Sequence, residues 1–501
     1  MKHLCAYVLI VIAAAGCTAS RNYSPARKFS PQQLQSDYAL FRKILEEDHP
    51  SLYWYTPKDS VDYYFNLGAA QLHDSLPEYK FRNILSYTLA KIKCGHTTVR
   101  PSKQAVKYAG RVRSISFPLN VKAWDDTVVV TSNMNRRDSA ITRGVLLKTI
   151  DGRPVTEIVD SLFGYISADG YNTTHKYQTI SNLGAFRNLY GSVYGIRSRM
   201  KVSFIDTLGL ERTADLGYYN PLADTPRVAL FHPHYSRRAQ KRQLLLMMRQ
   251  MNVDTALSTA FLEVNTFTKG NKLRGFFRRS FRRLRREHIH NLVVDMRNNG
   301  GGSVVLSNLL TRYIADKPFK IADSLYALKR RSHFGRYEQD YFLNRLFLLF
   351  MTHKRDDGHY HFTLFEQKYF KPKKANHFDG TVYILTGGNT FSAAALFTKA
   401  LAPQANVTVV GEETGGGAYG NTAWLIPDIT LPKTGVRFRL PLFRLVIDRN
   451  EQKGRGIIPK IVVRPTVKDI RRNADFKMEK VIELIREKSE RRVSQRSAAG
   501  M

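Results

Sequence analysis

Ser392 stands in the stretch TGGNTFSAAAL, residues 386–396, where two glycines turn the chain and an alanine-rich run begins. A hydroxyl at that corner has two readings. It can cap the helix that follows, or it can act as a nucleophile. The glycines of NNGGG, residues 298–302, are the second chemical feature. With no side chain in the way, backbone N–H groups there can approach a ligand closely. Acyl transfer by serine develops negative charge on a carbonyl oxygen, and amide donors beside a helix N-terminus suit that charge. The nucleophile also needs a base, and fourteen histidines and many lysines leave that partner open on spacing alone. HIH at 288–290 is a weak metal signal and no Cys/His cluster has zinc spacing, so no metal or organic cofactor is expected.

For the two corners to cooperate, both must emerge at the carboxyl edge of one parallel sheet. The pattern from about residue 225 onward provides for this, because strands alternate with helices. HNLVVDM is a buried strand turned by NNGGG into the helix SVVLSNLLTRYI. GTVYILT leads through the serine corner into AAALFTKALA, and VTVVG is a third strand followed by another glycine turn. Upstream, residues 30–93 read helical, with Leu34, Tyr38, Phe41 and Leu45 on one face and Phe81, Leu85, Leu89 and Ile92 on another. Gly95 is the expected end of that last helix. Short strands and an Asp151-Gly152 hairpin signal occupy about 110–220. In NKLRGFFRRSFRRLRREH, Phe277, Phe281 and Leu284 share a face that reads as core-facing with a solvated basic rim. Residues 331–376 look like an insertion, and the tail from 476 reads as a basic helix that frays.

The chain has 501 residues, 43% of them hydrophobic, and a formal net charge of +36. That length implies about two to four domains. The charge favours anionic surroundings such as lipid or polysaccharide. It is spread along the chain without any nucleic-acid module signature, so no specific nucleic acid is expected as a partner. MKHLCAYVLIVIAAAGC has a basic start, an apolar run and small residues before Cys17, which reads as an export signal. Its AAGC resembles a bacterial lipobox and makes Cys17 the lipidated residue of an envelope protein, expected to face the periplasm.

Several stretches together resemble the C-terminal-processing (tail-specific) serine peptidases, which include the tricorn core peptidases. They are LVVDMRNNGGG, TGGNTFSAAALFTKAL, VVGEETGGG and GRGIIPKIVVRPT, with AITRGVLLKTIDGRPV similar to a PDZ domain. LEEDHPSLYWYT and KCGHTTV are similar to the helical N-terminal part of tricorn-like members. The resemblance implies a fold that is α/β and multidomain, with a mostly parallel peptidase core of the ClpP/crotonase type. The expected organisation is a signal peptide (1–16), tether (17–29), helical domain (30–108), PDZ-like domain (109–222), peptidase core (223–475) and basic tail (476–501). It also implies Ser392 as nucleophile. The processing branch uses a lysine where this chain has Gly417. The tricorn-like branch uses a histidine at the position of His96, so His96 is expected as base. Glu451 is the expected orienting carboxylate, and the amides of Gly300, Gly301 and Ala393 the oxyanion hole. Related sequences often carry Asp where this chain has Cys94. Asp295, Arg297 and Asn299 are expected to fix the glycine turn. The resulting expectation is an exported serine endopeptidase acting on peptides or proteins. The alternative is an inactive peptide-binding lipoprotein on the same scaffold.

Overall fold

A computed structural model of the chain describes residues 23–135, 138–224 and 236–499. The export signal and Cys17 lie outside the described residues. Among the described residues no helix is long and apolar enough to cross a membrane.

The central element is a six-stranded sheet. In spatial order its strands are Arg249–Asp254, Thr259–Val264, Asn291–Asp295, Thr381–Thr386, Val407–Gly411 and Ile461–Val462. The first pair is antiparallel and every later pair is parallel. Asn291–Asp295 is buried along its whole length, as a strand covered on both faces must be. One face packs on the helix Leu273–Arg286, where Phe276, Phe277, Phe281 and Leu284 are buried with the sheet and the arginines flank them. On the other face the helix Phe476–Ala499 seats Val481 and Ile485 against Val293, Leu385 and Val410. The tail is therefore a docked helix in its first turns, because its apolar residues cover a sheet face that would otherwise be bare.

A second sheet is built from 353–354, 360–361, Ser324–Ala327, Phe443–Val446 and Gly420–Ala423. Part of the 331–376 stretch thus supplies the edge strand 353–354 and its neighbour 360–361.

In the middle of the chain, Leu119–Trp124, Thr127–Asn133, Leu146–Ile150, Arg199–Ile205 and Glu211–Gly217 form an antiparallel sheet. The helices Val155–Phe163, Thr173–Ser181 and Ala185–Tyr194 contribute Ile158, Leu162, Ile180 and Phe186 to its core.

The N-terminal helices Pro31–Asp48, Lys58–Ala69 and Glu78–Ile92 bury the two expected faces. They close that core together with Ile429, Leu431, Val436 and Phe438 from far downstream. The third helix stops earlier than Gly95: Lys93 takes the left-handed cap at φ 60°. Residues 94–97 are thereby released as a loop, and the following Val99–Arg100 pairs with Arg437–Arg439. That pairing carries the loop holding His96 to the core.

Candidate active site

Ser392 follows the parallel strand Thr381–Thr386 and directly precedes the helix Ala393–Leu401. It occupies the N-cap position, yet its side chain makes no cap hydrogen bond. Its backbone lies at φ 54°, ψ −122°, a conformation that side-chain-bearing residues rarely adopt. Such strain persists only where surrounding structure imposes it. Here Thr390 Oγ1 donates to the Met296 carbonyl (2.9 Å), Phe391 N donates to Asn299 O (3.0 Å), and Gly416 N donates to Thr390 O (3.1 Å). The hydroxyl is half-buried and free of any competing helix-capping role.

Gly301 closes against this corner at φ 95°. A Cβ there would fall 2.7 Å from Ser392 Cβ and 2.9 Å from Ala393 N. Only glycine leaves that space open. The Gly301 amide, however, donates to Asn299 Oδ1 at 2.9 Å, so it is not free for the oxyanion role expected of it. Asn299 instead shapes the turn, its Nδ2 donating to Val264 O at 2.8 Å. The amides of Gly300 and Ala393 have no acceptor among the described residues and remain the available pair. Arg297 holds Asp295 through two donors (3.0 and 2.6 Å) and also pairs with Asp475. The turn's base is thus an ionic clamp, as expected of these residues.

His96 arrives from nearly three hundred positions upstream. Its ring lies 4.8 Å, centroid to centroid, from that of Phe391, the residue before Ser392. Both ring nitrogens are buried and neither makes a hydrogen bond. Neither ring nitrogen reaches Ser392 in a hydrogen bond, and among the described residues no carboxylate orients the imidazole. Burial, with smaller contributions from Arg439 and His175, pulls the His96 pKa down to about 3, so the ring is neutral. His175 flanks the other partner of this stack, 4.9 Å from Phe391, and its Nδ1 donates to Gly388 O at 2.7 Å. Glu451, the expected orienting group, is engaged elsewhere: Lys399 holds it at 2.5 Å and also binds Asp448 at 2.8 Å. At the position of the processing-branch lysine, Gly417 offers only its backbone.

The residue that sequence reasoning missed is Asp169. Its carboxylate is buried and accepts the Gly95 amide (2.8 Å) and the Gly417 amide (3.4 Å). It joins the histidine loop to the glycine turn behind Ser392. Its neighbours repeat the link: Gly170 N donates to Lys93 O (2.9 Å) and Ser167 Oγ to Thr97 O (2.9 Å). Burial raises Asp169 to about 7 against the pull of the two amides. Burial and the nearby Asp169 push the Cys94 thiol up to about 11, so it stays protonated. The HIH segment forms no cluster: His290 Nδ1 pairs with Ser258 Oγ at 2.9 Å.

Residues 258–463, which contain the serine corner, the glycine turn and the closing strand, match Peptidase family S41. The chain carries an S41 peptidase domain. No curated protein matches the chain. Mature CPAF complexed with lactacystin shares its fold at TM-score 0.63 and 15% identity, covering 91% of this chain and 98% of that one. Mature CPAF alone gives TM-score 0.61 at 16% identity, covering 88% and 94%. For the photosystem II D1 C-terminal processing protease the TM-score is 0.39 at 15% identity, covering 88% and 96%. The first two likenesses extend well beyond residues 258–463, over 91% and 88% of this chain.

Proposed function

We propose that the protein is an exported, lipid-anchored serine endopeptidase, with Ser392 as nucleophile and His96 as general base. The observation that carries the reading is the strained Ser392, its hydroxyl uncapped, beside two free amides and an imidazole that rests on the preceding phenylalanine. A neutral imidazole is the form a base needs. On substrate binding, His96 turns from Phe391 toward Ser392 and takes the hydroxyl proton as Oγ attacks the peptide carbonyl. The developing oxyanion is held by the amides of Ala393 and Gly300 at the positive end of the helix. The imidazolium then protonates the leaving amine, and water attacks the acyl-enzyme with the same group as base.

The antiparallel middle domain is read as PDZ-like, adding an extended peptide to a strand edge. Lipidation of Cys17 after cleavage of the export signal would hold the enzyme in the bacterial envelope, facing the periplasm. The S41 domain supports peptidase chemistry, and the unpartnered ring nitrogens leave His96 free to engage the serine. Ser392→Ala should abolish hydrolysis of a casein substrate and labelling by a fluorophosphonate probe. Undiminished turnover by that variant would remove Ser392 from the reaction.

A further inference from the structure

Directly after the glycine turn, the surface opens into a cavity of about 530 Å³. Ser303 begins its wall, and Lys269, Lys272, Arg274, Arg279, Val305 and Leu306 surround it. No carboxylate lines it. The four cations are exposed, and among the described residues none forms an ion pair. Farther along the helix Leu273–Arg286, Glu287 is shared by Arg283 and Arg286. A fifth cation, Arg249, lies behind the rim, where burial and then Arg279 lower its pKa, and it donates to Asn271 O at 2.6 Å. Like charges are therefore crowded around one opening without internal compensation, which produces a local positive potential. Val305, 55% exposed, adds an apolar contact.

The cavity is continuous with the candidate site through the backbone. Phe267 N donates to Gly301 O and Ser303 N to Phe267 O, each at 2.9 Å. The chain running into the cavity is thus tied to the turn that supplies the Gly300 amide. An extended peptide advances about 3.3 Å per residue, so one lying across Ser392 reaches this rim within a few residues.

We infer that this groove is a specificity subsite that selects substrates carrying acidic side chains within a few residues of the cleaved bond. The inference rests on the peptidase reading for its place in catalysis, but ligand selection can be measured apart from turnover. In the Ser392→Ala protein, a fluorescein-labelled Glu-rich peptide is titrated beside its Gln-for-Glu counterpart, with anisotropy as the readout. The acidic peptide should bind on the order of tenfold more tightly at low salt, and the preference should shrink as salt rises. A Lys272→Glu/Arg274→Glu version should reduce it to near parity. Digestion of a mixed peptide library by the unaltered protein should enrich Asp and Glu on one side of the cleaved bonds. Equal affinity for the two peptides, or a preference that survives charge reversal, would overturn the subsite. So would retention on phosphatidylglycerol vesicles through Lys272 and Arg274 without any acidic-peptide preference, which would assign the groove to a membrane surface. Loss of the peptidase reading would show instead as hydrolysis indifferent to Ser392, with the binding comparison still legible.

Discussion

The Asp169 carboxylate accepts the Gly95 amide at 2.8 Å, one residue ahead of His96, and reaches the Gly417 amide with its other oxygen. One acid therefore sets the spacing between the histidine loop and the turn behind the serine. Asp169→Ala leaves the part-buried Gly95 amide and the buried Gly417 amide without acceptors, at about 1–3 kcal/mol for a buried group. The variant should lose at least that much stability in urea unfolding, and its kcat should fall more than its KM changes.

Asp169 also imposes a pH signature. Its folded pKa, raised to about 7, lies above the ordinary carboxyl value. The folded state therefore binds the extra proton, and this stabilising contribution is complete below about pH 4. It is lost as pH rises through about 7. Measured against Asp169→Asn, the stability of the unaltered protein should decline across that window and level off above it.

His96 carries the opposite sign. With its folded pKa at about 3, the unfolded chain takes up the proton first as pH falls below the ordinary histidine range. Its contribution is present above about 6.5 and is lost progressively toward 3. Since kcat/KM follows the free enzyme, its acid limb should bend well below 6.5. His96→Gln should lower kcat by about 10²–10⁴-fold. A limb centred on an unperturbed imidazole would show that another residue is the base.

Gly301→Ala should be severe for activity. The added methyl would meet Ser392 Cβ and Ala393 N, closing the space beside the helix amide. Loss of one oxyanion donor lowers kcat by about 10²–10³-fold. Single-turnover kinetics should place the deficit in acylation.

Lys477, at the head of the docked C-terminal helix, forms a buried ion pair with Glu412 and donates to Thr386 O at 3.3 Å. Lys477→Met strands the Glu412 charge. Breaking such a pair costs about 3–5 kcal/mol. Differential scanning calorimetry should show a lowered Tm.

Local pattern was enough to read the two strand-turn-helix corners, because hydrophobic strands ended by glycines are coded by neighbouring residues. The inward faces at Leu34–Leu45 and Phe277–Leu284 were legible for the same reason. The ion-pair choice of Glu451 was not, since Lys399 comes within reach only after its helix is placed. Asp169 gave no signal: it sits in the unremarkable run ISADGYN, and both its partners are backbone amides distant in sequence. The Gly301 amide was misjudged because a turn's glycines do not announce which of their N–H groups the turn itself consumes.

The ring contacts of Phe391 with both His96 and His175 bring three parts of the chain beside one hydroxyl. A fragment trimmed to residues 258–463 would keep the serine and forfeit both imidazoles, the acid at 169 and the helix anchored by Lys477. Modularity at the level of sequence profiles thus does not extend to chemistry. On the reading proposed above, a competent unit has to include the segments that hold His96, Asp169 and Lys477.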